Sequence, residues 1–325
     1  MDRIVIQVKD KVLKVVAGNF HTTMVVTLGD VTLPDGKAVV PARLFLGTLK
    51  TLKGKGSANI FPTEKGAAIV TSFDSRIDMD NVPGSFKFLV PQTYKAGQGH
   101  LIPFPAMFLP AATKYLYATE DFSPFDQVLL ESVNGVVHLR ASDDHTVGEA
   151  GPLTSEGTFR TALYPDSFQA LRGIETAGGF WLAPRIKPQV QQAQVMAGNV
   201  RVSMVVRPEY PRFPSVAGGT YDATVRGDRK MLVDTFKSLA GRHQYSRVVM
   251  EAKAGEFIIR AGDNGAAKVV AEVEGEAFIP VNAAFMAKTL QTVDGKTATV
   301  EFSDAPSNIR VTGDNPWPLV VAPMK

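Results

Sequence analysis

The sequence predicts an α+β fold built from three similar β-rich domains, and three observations carry that prediction. Short valine- and isoleucine-rich runs recur between turn residues. Apolar residues at helical spacing follow a proline in three places, and those places lie more than a hundred residues apart, a domain's length rather than a solenoid unit's.

The strand-like runs include Ile4–Val8, Val12–Val16, Met24–Leu28, Arg201–Val206 and Phe257–Arg260, bounded by Gly, Asp, Asn or Pro as antiparallel strands are. The three proline-led segments are Pro41 running on to Phe45, Leu49 and Leu52, Pro165 running on to Phe168, Leu171 and Ile174, and Pro280 running on to Phe285 and Leu290. A second helical pattern precedes two of them, over Phe104–Thr119 and Gly227–His243. Glycine-rich breaks near residues 94–99 and 216–219 divide the chain into 1–97, 98–217 and 218–325. The first copy is short and lacks its leading helix.

Composition excludes several classes. The 325 residues are 45% hydrophobic and 21% charged, which suits a packed chain and not a disordered one. No apolar run is long enough to span a bilayer, and the opening Met1-Asp2-Arg3-Ile4-Val5 lacks signal-peptide order, so a cytoplasmic protein without membrane partners is expected. With no cysteine, disulfides, thiolate metal sites and cysteine nucleophiles are ruled out. Gly295-Lys296-Thr297 is only the tail of a phosphate loop, with Leu290 where the first glycine belongs. Asp143-Asp144-His145 offers metal-ligand chemistry, but neighbours on a strand point to opposite faces. His21, His100, His138 and His243 show no ligand spacing, and no Gly-x-Ser-x-Gly elbow occurs. No catalytic residue, metal or cofactor is expected.

Charge is sorted. The five helical segments hold eleven basic residues against four acids, although the whole chain is only +3. Basic helices with acidic strands and loops suit a face that meets phosphate, and without interleaved aromatics the better ligand is duplex backbone.

The C-terminal third then resembles a known family. Phe278-Ile279-Pro280-Val281-Asn282-Ala283-Ala284-Phe285 through Leu290, Thr299–Asp304 and the terminal Leu319-Val320-Val321-Ala322-Pro323-Met324-Lys325 are similar to the last domain of the bacterial DNA polymerase III β subunit, the sliding clamp. Arg140-Ala141-Ser142-Asp143-Asp144-His145-Thr146-Val147 and Tyr210-Pro211-Arg212-Phe213-Pro214-Ser215-Val216 resemble two further family stretches, in the family's order. The likeness is good over residues 98–325 and loose before them.

The resemblance implies a non-enzymatic ring of two chains, head to tail, with sheets outside and paired helices lining a pore around double-stranded DNA. Such a processivity factor holds a polymerase to its template without reading sequence, and would associate with the nucleoid. Arg43, Lys50, Lys53, Lys114, Arg172, Arg229, Lys237, Arg242 and Lys288 become pore candidates. The family also binds short apolar peptides of polymerases and clamp loaders in a cleft. Its wall would include Ser142, Asp144, Thr146, Val147, Pro211, Val216, Val320, Val321, Ala322, Pro323 and Met324. Ala322 replaces a usual methionine and Asp144 a usual glycine, which implies a wider, more acidic cleft and a bulkier or basic peptide. The shortened first domain motivates an alternative, a clamp-like paralogue that binds partners without encircling DNA.

Overall fold

The computed structural model describes residues 3–51, 58–71, 76–82, 89, 91–95, 97–116, 127–143, 145–184, 191–207, 220–240, 246–262 and 265–324. Three repeats follow one another. The first runs β1 (Arg3–Lys9), β2 (Val12–Gly18), β3 (Thr22–Asp30), β4 (Gly36–Pro41), α1 (Ala42–Thr51), β5 (Ala58–Pro62), β6 (Gly66–Thr71) and β7 (Arg76–Asp80). The second opens with β8 (His100–Phe104) and α2 (Phe108–Tyr115). It continues through β9 (Val128–Val133), β10 (Val136–Ser142), β11 (Thr146–Thr154), β12 (Phe159–Leu163), α3 (Pro165–Gln169), β13 (Gly178–Leu182), β14 (Gln192–Ala197) and β15 (Val200–Arg207). The third has β16 (Ala223–Asp228), α4 (Arg229–Ala240), β17 (Arg247–Lys253), β18 (Glu256–Arg260), β19 (Ala266–Val269), β20 (Ala271–Gly275) and β21 (Ala277–Asn282). It ends with α5 (Ala283–Thr292), β22 (Thr297–Phe302), β23 (Ile309–Thr312) and β24 (Leu319–Val321).

Local chemistry marks the repeats. Each has a hairpin that turns through two residues of positive φ: Asp10-Lys11 after β1, Asn134-Gly135 after β9 and Ala254-Gly255 after β17. Two successive left-handed residues match the twist of the flanking strands, which is why two-residue hairpins take this form. Period-two alternation then faces Ile4, Ile6 and Val8 of β1 into a core with Val40, Phe45, Ile69 and Met79.

The chain packs as two compact units. One holds Met1–Leu109, Thr154–Gly157 and Gly173–Arg207, the other Pro110–Leu153, Thr158–Arg172 and Pro208–Lys325. In the first unit, β4-β1-β2-β3-β15-β14-β13-β8 form one continuous antiparallel ladder, so the first and second repeats share a sheet through β3 and β15. The three strands β5-β6-β7 form a separate sheet. In the second unit, one sheet contains β12-β9-β10 and β11-β24-β23-β22-β16-β20, and β19-β18-β17-β21 form another. The third repeat's core gathers Phe236, Phe257, Met286, Leu290 and Phe302, with Tyr115 of α2 packed into it.

The predicted strands lie within β1, β2, β3, β15 and β18, and the antiparallel α+β class holds. The helices are shorter than the apolar periodicity suggests. Residues 103–104 belong to β8, α2 begins only at Phe108, and α3 closes after Gln169, so Arg172 sits in the turn beyond it. The three marker prolines are not equivalent either: Pro41 ends β4, Pro165 opens α3, and Pro280 lies inside β21. β1 is the first described element of the first repeat. No helix among the described residues is long and apolar enough to cross a membrane.

Candidate partner groove and basic helices

The groove residues are organised by one turn. Between β10 and β11 the Asp143 carboxylate accepts from the amides of His145 (3.3 Å) and Thr146 (2.7 Å), while the Asp143 amide donates to the Thr146 carbonyl (3.1 Å). A short acidic side chain that bonds its own backbone two and three residues on is a compact turn former. Its second oxygen accepts from Lys288 Nζ of α5 at 3.0 Å, and the His145 ring stacks on Phe285 of the same helix with centroids 4.4 Å apart. α5 is itself fixed by its N-cap, the Asn282 side chain accepting from the amides of Ala284 and Phe285. Asp143 is thus a turn acceptor and ion-pair partner, and among the described residues no group of three His, Asp or Glu gathers as a metal site would.

From this turn β11 runs antiparallel to β24, with Thr146 opposite Val321, Val147 opposite Val320 and Gly148 opposite Leu319. Val147 and Val320 form a small apolar pair of their own, 8% and 6% exposed. The terminal strand continues as an extended tail: the Ala322 amide donates to the His145 carbonyl (2.9 Å) and the Met324 amide to the Pro280 carbonyl (3.0 Å). Ala322 is exposed, Pro323 and Met324 are half-buried, and Ser142, Thr146 and Val321 are buried. The structure therefore brings Thr146, Val147, Val320, Val321 and Ala322 together, with Ser142 just before the turn. Asp144, Pro211 and Val216 lie outside the described residues. Sequence reading missed His145, Phe285 and Pro280 as neighbours of these residues. The signal lay in three similar stretches of sequence, Ala17-Gly18-Asn19-Phe20-His21-Thr22, Ala141-Ser142-Asp143-Asp144-His145-Thr146 and Ala261-Gly262-Asp263-Asn264-Gly265-Ala266.

The basic candidates divide into two groups. Lys114 pairs with Asp294, and Lys288 with Asp143. Arg229 is half-buried and donates to the carbonyls of Gly295 (2.7 Å) and Gln291 (3.4 Å), tying the start of α4 to the end of α5. Arg43 and Lys50 on α1, Arg172 after α3 and Lys237 on α4 are exposed. Lys53 and Arg242 lie outside the described residues.

Two titratable groups report the packing around this strand pair. Burial pushes the Tyr115 phenol up to about 12, although its oxygen accepts from the Asp294 amide. Burial would also raise the Glu149 carboxyl, but hydrogen bonds from His138 and Arg140 outweigh it and hold that group below the usual glutamate range. Arg140 reaches Glu149 at 2.6 Å and Glu131 at 3.2 Å, so β9, β10 and β11 share one ionic network.

No family model and no curated protein matches the chain. Solved structures do. A DNA polymerase III beta subunit from Thermotoga maritima superposes with a TM-score of 0.80 at 18% identity, covering 100% of this chain and 91% of its own. The beta subunit from Pseudomonas aeruginosa gives 0.77 at 19% identity, over 100% and 92%. A sliding clamp of the latter organism bound to griselimycin gives 0.76 at 18%, over 100% and 91%. Across its whole length, then, this chain has the fold of the bacterial DNA polymerase III beta subunits.

Proposed function

We propose that the chain is a sliding clamp, a ring of two copies that encircles double-stranded DNA and carries replication partners on an apolar groove. One observation carries the reading. β3 of the first repeat pairs antiparallel with β15, the last strand of the second, and β11 of the second with β24, the last strand of the third. The series has one unmatched pair left, β19 of the third repeat and β7 of the first, each bonded on one edge only among the described residues. β19 carries Lys268, paired with Glu256, and β7 carries Asp80 beside the Arg76–Asp78 pair, so the two edges differ by one net charge of each sign. A second copy joined head to tail satisfies both edges, and a closed two-fold arrangement follows. Domains of 1–97, 98–217 and 218–325 are the units of this scheme.

Duplex DNA is held without sequence preference by phosphate attraction. Lys114, Lys288 and Arg229 are engaged within the protein, which leaves Arg43, Lys50, Arg172 and Lys237, with Lys53 and Arg242, as the phosphate-facing group. The chain needs no cofactor and performs no chemistry in this role. Polymerase and loader peptides insert apolar anchors beside Val147, Val320 and the tail to Met324, each fully buried anchor contributing about 1.5 to 3 kcal/mol.

The test is topological. A two-chain particle retained on nicked circular DNA and released when the circle is cut is the expected result. A monomer with no retention favours the paralogue that binds partners only. Reversing charge at Lys50 and Lys53 together should weaken retention and flatten its salt dependence. Removing Val321–Lys325 should abolish peptide binding in a calorimetric titration, and undiminished heat would displace the groove.

A further inference from the structure

The ladder of the first unit has a hollow on one face. Ile4, Ile6 and Val8 of β1 point into the core, so Val5 and Gln7 point the other way. On that other face Val5, Val16 and Val25 are neighbours across β1, β2 and β3. Two residues along each strand, Lys37, Gln7, Lys14 and Thr27 make a second row across β4, β1, β2 and β3. Arg201 of β15, opposite Val25, ends the apolar row. These residues line a cavity of about 1080 Å³, to which Leu89 and Pro91 also contribute. Val5 is only 3% exposed and Val16 and Val25 are half-buried, whereas Lys14, Lys37 and Arg201 are exposed.

The three cations have no counter-charge. No acid lines the cavity, and none of the three forms an ion pair among the described residues. Sheet cations elsewhere are treated differently: Arg140, Arg260, Lys268 and Arg310 each meet a glutamate on a neighbouring strand. The stretch 82–91, which supplies Leu89 and Pro91, holds one lysine and no acid, so it brings no anion to the hollow. Charges of one sign around an apolar hollow focus their potential inside it.

The floor also offers no main chain to a ligand. β1 lies between β4 and β2, β2 between β1 and β3, β3 between β2 and β15, and β15 between β3 and β14, so each is bonded on both edges. An extended peptide would find no strand edge for its amides, and recognition is left to side chains. We propose that this hollow binds a small amphipathic organic anion, an apolar body with an anionic group at each end. The body lies on the valine row, one anionic group meets Lys14 and Lys37, and the other meets Arg201. The volume matches sites for such ligands, which run to about 1,000 Å³. The site belongs to one unit and stands whether or not a ring closes on DNA.

Titration calorimetry of the full chain with dodecanedioate, a dicarboxylate on an aliphatic chain, tests this without DNA. One saturable site per chain is expected, weaker in added salt. Lys14→Gln combined with Arg201→Gln, both at exposed positions, should lower the affinity about tenfold through two lost charge-assisted contacts. The melting temperature reports that this variant is folded. Lys253→Gln, on β17 of the other unit, should change nothing. Butanedioate, with little apolar body, should bind more than about tenfold more weakly, and an aliphatic diamine as long as dodecanedioate should not bind. No saturable binding of dodecanedioate overturns the proposal. Affinity that survives the double change overturns it too, because the heat then comes from another place. Equal binding of butanedioate or of the diamine removes the apolar or the ionic half of the argument, and either result overturns it. Self-association of the chain that dodecanedioate inhibits makes a second copy the occupant and overturns it as well.

Discussion

The two junctions between repeats are built to one plan and filled differently. At each, a turn acceptor holds the residues that open the joining strand, β3 or β11: Asn19 accepts from the amides of His21 and Thr22, and Asp143 from those of His145 and Thr146. At each, the carbonyl of the turn histidine accepts from the last strand's end, His21 from Val205 at 2.8 Å and His145 from Ala322 at 2.9 Å. The strand positions that follow differ in chemistry. The first junction places Thr23 opposite Ser203, and the second Val147 opposite Val320. Thr23 spends its hydroxyl on the Leu89 carbonyl (2.9 Å), and Gln192 and Gln194 bond the backbone of Gln92, so the first junction is closed by its own chain. Backbone pairing thus supplies both joints, and the side chains on and around it make the first polar and leave an apolar pair at the second.

The largest effect expected from breaking this difference comes from Val147→Thr with Val320→Ser, which copies the first junction into the second. Peptide affinity should fall about 10- to 100-fold, since two apolar contacts are lost, while strand pairing and far-ultraviolet dichroism stay unchanged. Calorimetric titration reads the loss, and intact affinity would show that the valine pair is ordinary core.

Next in size is the ionic network, which the first junction does not possess: Val25 occupies on β3 the position of Glu149 on β11. Glu149→Gln should cost about 1.5 to 3 kcal/mol, the range for hydrogen bonds to a charged group. Because the folded carboxyl is held below its unfolded value, its contribution is complete above the ordinary glutamate range and is lost as pH falls through the folded value. Denaturant titrations from neutral pH downward should converge for the parent and Glu149→Gln in acid.

Smaller still are the turn acceptors. Asp143→Ala and Asn19→Ala should each cost about 1 kcal/mol through the freed amides. Only the first should carry a salt-dependent part, from Lys288, of roughly 0.2 to 1 kcal/mol. The least effect belongs to Ser203, whose hydroxyl is fully buried with no hydrogen-bond partner among the described residues. Ser203→Ala should leave stability unchanged or raise it by up to about 1 kcal/mol.

Much of the fold was legible because β-branched runs and turn residues are local signals. Ile4–Val8 and Val12–Val16 need only each other to make a hairpin, and Asn134-Gly135 announces its turn. Helix ends were less so: apolar spacing continues past Gln169 to Leu171 and Ile174, which are buried in the following turn rather than along a helix. β19 and β20 carried no apolar alternation strong enough to separate them. At the candidate groove, the family resemblance pointed to Val147, Val320 and Val321 together, but the register that sets Val147 opposite Val320 and Thr146 opposite Val321 joins strands far apart in the chain. The ion pairs of Lys114 and Lys288 were hidden for the same reason, since Asp294 and Asp143 lie 180 and 145 residues from them. Charge can be counted along a sequence, but neutralisation depends on tertiary approach.

The three hairpins that mark the repeats differ in how easily their residues take a left-handed shape. Asn134-Gly135 does so at little cost, whereas Lys11 and Ala254 hold φ of 63° and 53° with side chains that disfavour it. Heat tolerance could therefore be adjusted at sites remote from both joints, by exchanging one residue for glycine or asparagine, and recognition would be left as it stands.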